Sequence, residues 1–264
     1  MEITEKRLQG SPIYYYITDN NAADSVLFVH AAFADHTSFD KQVAYFFPKY
    51  RTITLDLIGH GKSVQTKKGD DITKTAEYIS HIMEVEGIRR VHLVGVSIGA
   101  VLIQDFANKY PEKVASLCCI GAYDINNFDP SIQKENSGKQ VGMMLKAFIS
   151  IPWFAKSNKA ISAVTPDAQE TFYQMNIKFK KHSFLYLANL SKLLNQCKTK
   201  KREYPLLIGY GGKSLPLEAK AAEMWNKSEP ESKLVVFKNS GHLVNMDVPE
   251  EFNMVIEQFI SCAV

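Results

Sequence analysis

Short, nearly unbroken runs of Val, Ile and Leu alternate along the chain with longer stretches of helical spacing. Runs of strand length occupy residues 13–17, 25–30, 51–57, 91–96, 114–120, 205–210 and 233–238. Most lack the polar alternation of a strand with one wet face, which predicts strands covered on both faces of a parallel sheet. Helical patterns fill residues 37–47, 73–86, 98–110, 217–226 and 249–261. Such alternation predicts right-handed crossovers and a doubly wound α/β sheet. Active sites in these sheets lie at the carboxyl ends of the strands. The alternation breaks once. Residues 125–202 hold no convincing strand, but do hold Met143, Met144, Phe148, Trp153, Phe154, Phe172, Tyr173, Met175 and Phe184 at partly helical spacing. The expected organisation is a core domain of residues 1–124 and 203–264 with a helical insertion, 125–202, lying over the sheet.

Composition narrows this picture. A chain of 264 residues with 45% hydrophobic content supports one sizeable core. A formal charge of +3, with both signs mixed along the chain, gives no case for a nucleic-acid partner. The basic run at 198–202 reads as a solvated linker. Cys118, Cys119, Cys197 and Cys262 form no C-x-x-C pair, and the adjacent two sit in an apolar run, which suits a reduced protein. The first ten residues lack an apolar signal region, and the longest apolar stretch, 91–103, is too short to span a bilayer. A cytoplasmic protein with no membrane partner is expected. The histidines are scattered with no ligand spacing, so neither a metal nor another cofactor is expected.

The chemistry gathers at strand ends. Gly95-Val96-Ser97-Ile98-Gly99 is a G-x-S-x-G segment that closes one strand and opens a helix. So sharp a turn strains its middle residue and leaves the serine oxygen proud at the strand's carboxyl end, facing the positive end of the helix. A serine hydroxyl needs an imidazole to take its proton. His242, in Gly241-His242, directly follows the strand at 233–238 and precedes the last helix, so it is the candidate general base. Acyl transfer also needs N–H donors where negative charge develops on the carbonyl oxygen. The N–H of Ile98 is one candidate, and Ala32, in the loop His30-Ala31-Ala32-Phe33, supplies the other. His30 reads as a loop-shaping residue.

These segments, together with Asp56-Leu57-Ile58-Gly59-His60-Gly61-Lys62-Ser63, resemble the α/β-hydrolase superfamily across most of the chain outside the insertion. The resemblance implies an eight-stranded, mostly parallel sheet, a triad in the order serine, acid, histidine, and an insertion that caps the active site. It also implies that Asp56 and His60 support the fold. The chain departs from the pattern twice. Ala31 stands where the family usually has glycine, and Ser214 stands where the triad carboxylate falls. The acid then comes from Asp124 after the preceding strand, from Glu218 reaching back, or from nowhere; Asp124 is carried forward as the candidate. A dehalogenase or epoxide hydrolase would place Asp at position 97. The expected function is cofactor-independent hydrolysis of a small or medium hydrophobic ester through a Ser97 acyl-enzyme. The alternative is a weakly active or non-catalytic ligand-binding sensor on the same fold, favoured by the missing carboxylate.

Overall fold

The Val/Ile/Leu runs become the inner strands of one eight-stranded sheet in a computed structural model of the chain, described here for residues 1–18, 20, 22–64, 66–130, 142–143, 145–196 and 202–262. The strands are β1 Ile3–Arg7, β2 Tyr14–Thr18, β3 Ser25–Val29, β4 Arg51–Leu55, β5 Val91–Val96, β6 Val114–Ile120, β7 Leu206–Gly211 and β8 Lys233–Phe237. Their spatial order is β1-β2-β4-β3-β5-β6-β7-β8. The pairs β1–β2 and β2–β4 are antiparallel, and every pair from β4 to β8 is parallel.

Successive side chains of a strand point to opposite faces, and each face here has its own core. Leu27, Val29 and Leu93 pack with Ile79 and Met83 of α2 (Thr75–Val85) and Phe106 of α3 (Ile98–Lys109). Their neighbours Val26, Phe28 and Val94 pack on the other side with Phe46 of α1 (Asp40–Phe46) and Phe252 and Ile256 of α9 (Pro249–Ser261). Burial on both faces is why these strands carry no polar alternation. Strand β1 was not expected. Its sequence, Ile3 to Arg7, alternates exposed and half-buried residues at the sheet edge, so nothing apolar announces it.

Chain direction across the sheet reverses between β3 and β5: from β3 the chain steps to β4, then crosses to β5 on the other side. The crevice at the carboxyl ends of two such strands is the usual ligand position in this architecture. The loop carrying Ala32 leaves β3 and Ser97 follows β5.

Between β6 and β7 the described residues form no strand. They form α4 (Ile151–Ser162), α5 (Pro166–Lys178) and α6 (Phe184–Ala188), with residues 145–149 also helical. Ser150 and Thr165 cap α4 and α5 with their side chains, and Pro152 and Pro166 stand at the helix starts. After β7 and β8 come α7 (Pro216–Ser228) and the short α8 (Val244–Asp247). Among the described residues, no helix is long and apolar enough to cross a membrane. Met144 and Cys197 lie outside the described residues, as does the basic run before Arg202. Arg202 itself is no solvated linker residue: its side chain is only 6% exposed and lies 2.6 Å from Glu229.

Candidate active site

Ser97 occupies the turn between β5 and α3 at φ 57°, ψ −122°, a conformation non-glycine residues avoid. Such strain costs on the order of 1–3 kcal/mol and persists only where its surroundings enforce it. Three contacts do so. The Ser97 N–H donates to the Ile120 carbonyl at 2.8 Å. A Cβ on Gly95 would fall 2.5 Å from the Ala100 nitrogen. A Cβ on Gly99 would fall 2.1 Å from the Val29 carbonyl oxygen. The two glycines of the pentapeptide therefore let the helix fold back on its strand and let the β3 end press against the helix start. That second approach sets the Ala32 loop beside the start of α3. The N–H groups of Ala32 and Ile98 make no hydrogen bond among the described residues.

The loop after β3 is held from both sides. His30 is buried; its Nδ1 donates to the Ala31 carbonyl at 2.7 Å and its Nε2 accepts the Leu57 N–H at 3.0 Å. Burial lowers its pKa, so it is a neutral spacer, as a loop-shaping residue should be. His60, 5.1 Å away ring to ring, is pushed down to about 3 by burial. Asp56, itself fully buried, accepts from the Tyr16 hydroxyl, from the backbone and ring of His36 and from the Lys62 N–H. Phe33 sits at φ 66° with its ring inside an aromatic cluster of Phe154, Phe179 and Phe184 from the helical insertion. Buried Asn176 of α5 donates to the Phe33 carbonyl at 3.3 Å. Sequence reasoning missed Phe33 and Asn176. The contact joins residues 143 positions apart and has no local signal.

His242 lies in the loop after β8 with Nδ1 2.9 Å from Glu218 Oε2. The contact has the distance but not the angle of a linear hydrogen bond, and it becomes an ion pair when the imidazole is protonated. Neither atom has another hydrogen-bond partner among the described residues. Burial pulls the His242 pKa down, Glu218 pushes it up by its charge and proximity, and the net direction is upward. Glu218 stands in the first turn of α7, where the helix N-terminus favours a carboxylate. The pair rests on Gly121, at the end of β6 with φ +63°. A Cβ there would lie 3.0 Å from His242 Nδ1 and 3.4 Å from Glu218 Oε2. Ser97 is bonded to Ile120, the residue before Gly121, so the serine and the histidine flank the same strand end.

Asp124, the candidate acid, makes no hydrogen bond or ion pair with His242 among the described residues. Its carboxylate accepts from the Asn126 N–H at 2.9 Å and the Asn127 side chain at 2.8 Å, with buried Arg202 at 3.7 Å. It is an Asp-x-Asn turn residue and a counter-charge for Arg202, and the carboxylate facing His242 is Glu218's. Ser214, in the expected acid place, closes the turn after β7 by donating to the Gly211 carbonyl at 2.7 Å. The carboxylate that faces His242 stands four residues further on.

The histidine loop is also tied to the insertion. The buried Asp247 carboxylate accepts from the N–H groups of Val164, Thr165 and Gly241 at 2.9–3.1 Å and from the Thr165 hydroxyl. Leu243 adds a bond to the Ser162 carbonyl at 2.9 Å. Asp247→Ala strands several wholly or partly buried donors at once. It is expected to cost about 3 kcal/mol and lower Tm by roughly 5–10 °C, read by thermal melting.

The comparisons with known proteins agree with this fold. A family model for the α/β hydrolase fold matches residues 24–142. An esterase from Exiguobacterium antarcticum superposes with a TM-score of 0.80 at 21% identity, over 94% of this chain and 96% of that one. A thermophilic esterase from Thermogutta terrifontis gives 0.77 at 20% identity, over 100% and 99%. At these identities the likeness is one of fold. Among sequence relatives, carboxylesterase YbfK of Bacillus subtilis is 21% identical over 246 residues, covering 90% of this chain and 80% of that protein. The dihydrolipoyllysine-residue acetyltransferase component of the acetoin cleaving system of Pseudomonas putida is 24% identical over 230 residues. The chain spans 56% of that relative's length. Strand order, family model and superposed neighbours together show that the chain has the α/β-hydrolase fold.

Proposed function

We propose that the chain is a serine hydrolase of carboxylic esters, with Ser97 as nucleophile, His242 as general base and acid, and Glu218 as the orienting carboxylate. The observation that carries this reading is the His242–Glu218 pair, 2.9 Å apart and seated on Gly121, beside a serine held at φ 57°. The esterases and carboxylesterase among its structural and sequence likenesses support the same reading.

With Nδ1 facing Glu218, Nε2 is the nitrogen free to take the Ser97 proton as Oγ attacks the ester carbonyl. Glu218 stabilises the imidazolium that forms. The developing oxyanion is met by the Ile98 and Ala32 N–H groups, assisted by the positive end of α3. His242 returns its proton to the leaving alkoxide. Water then cleaves the acyl-enzyme by the same route. In this reading the strained Ser97 turn is the nucleophile elbow and the helical insertion is the cap. The Phe33, Phe154, Phe179 and Phe184 cluster forms an apolar wall beside the oxyanion loop, which suits a small or medium hydrophobic ester. The non-catalytic alternative drew its support from the missing carboxylate at position 214, and Glu218 removes that support.

The test is turnover of p-nitrophenyl esters of short and medium chain length, with fluorophosphonate labelling located by peptide mass. Turnover with the label on Ser97 is expected; inert protein that takes no label overturns the assignment. Gly121→Ala presses a methyl group on the His242 ring at a positive φ. It is expected to lower kcat by about 10- to 100-fold with KM little changed, read from initial-rate kinetics.

A further inference from the structure

The near-balanced charge of the whole chain hides a local excess. Residues 145–196, within the insertion, carry seven lysines and two acidic residues. The same segment bears large apolar side chains in full view of solvent: Phe148 is 80% exposed, Leu185 74%, Ile149 66% and Leu145 58%. The lysines are interleaved with them. Lys181 donates to the Phe148 carbonyl at 2.7 Å and stands over the Phe148 ring, while Lys146 stands 5.6 Å from the centre of the half-exposed Trp153 ring. Neither lysine meets a carboxylate among the described residues, and Lys178 and Lys180 are exposed beside them. The apolar core of this segment is built separately, since Phe154 and Phe184 turn inward onto Phe33. Adjacent residues at the starts of α4 and α6 thus face opposite ways: Trp153 out and Phe154 in, Leu185 out and Phe184 in.

We propose that this face of the insertion docks on the surface of an anionic lipid bilayer. Apolar groups that protrude among unpaired lysines match a membrane interface, where acyl chains take the rings and anionic headgroups take the ammonium groups. Large apolar side chains exposed together in this way are uncommon on a monomer that meets only water. A second copy of the chain is a poor occupant, because a two-fold contact would set lysine against lysine. The docking is peripheral, as no helix among the described residues can span a bilayer. It replaces the expectation from sequence that no membrane is involved. It also turns the outer side of the wall around Phe33 toward lipid.

The chain has two tryptophans, and Trp225 is buried at 2% exposure, so a change in emission on docking reports on Trp153. The experiment sediments the full chain with sucrose-loaded vesicles of phosphatidylcholine alone, or of phosphatidylcholine and phosphatidylglycerol in equal parts. Binding to the anionic vesicles with a blue shift of Trp153 emission is expected, weakening as salt rises toward about 0.5 M. Phe148→Ser/Ile149→Ser and Lys180→Glu/Lys181→Glu are each expected to weaken binding about tenfold or more. All four positions are exposed, so their melting temperatures should match the wild type, and turnover of a soluble ester should persist. Equal partition into neutral and anionic vesicles, no partition at all, or binding that survives both double variants overturns the proposal. So does a dimer in solution that protects Trp153 without vesicle binding. Ester turnover is read separately, so failure of the docking and failure of the hydrolase assignment are distinguishable.

Discussion

Ser97→Ala is expected to lower kcat/KM for a short-chain p-nitrophenyl ester by about 10^4-fold or more, and to abolish fluorophosphonate labelling. The magnitude follows from what the residue does in the proposed mechanism. Without Oγ no acyl-enzyme forms, and the remaining groups can only assist direct attack by water. The Ile98 and Ala32 N–H groups would still meet an oxyanion, so a residual rate above the uncatalysed one should remain. KM should move little, because the apolar wall around Phe33 is untouched. Stability should also hold: alanine keeps the Cβ, and Gly95, Gly99 and the bond from residue 97 to Ile120 keep the turn. Matched melting curves beside initial rates separate loss of chemistry from loss of fold. A variant that retains more than about a hundredth of the wild-type rate would move the nucleophile elsewhere.

Ser97 and His242 were legible in the sequence because each lies at a strand end, and a strand end leaves local marks. Continuous apolar runs announce β5 and β8, and the glycines around Ser97 are demanded by close backbone approach. The inner strands were legible for a related reason, since burial on both faces fixes their composition. Edge strand β1 was not, because its exposed face lets Glu5 and Lys6 stand in a strand. The carboxylate that faces His242 was ranked below Asp124 for a different reason. Glu218 reads as an ordinary first-turn carboxylate of α7, and only the tertiary approach of the β8 loop sets it at His242. Asp124 looked better placed because it directly follows a strand, yet Asn126 and Asn127 satisfy it within its own turn. Arg202 misled in the same way. A short run of cations reads as solvated, and the Glu229 that buries Arg202 lies 27 residues on.

Glu218→Gln and Asp124→Asn discriminate the two acids directly. Glu218→Gln is expected to lower kcat by about 10^2- to 10^4-fold, because the amide keeps the shape but neither stabilises the imidazolium nor fixes the ring tautomer. Its pH profile should move as well. Glu218 is what raises the His242 pKa against the downward pull of burial. With the charge gone, burial acts alone and the pKa falls. The base is active when neutral, so the acidic limb of kcat/KM should shift to lower pH even as the plateau drops. A merely structural defect would lower the plateau and leave the limb in place. Asp124→Asn should keep its rate within about threefold, since its contacts are Asn126, Asn127 and Arg202 rather than His242. Its cost should appear in the melting temperature, because Arg202 would keep Glu229 but lose its second counter-charge. If the two variants exchanged these signatures, with the pH limb moving in Asp124→Asn and not in Glu218→Gln, the acid of the triad would be Asp124 and the His242–Glu218 pair a structural contact.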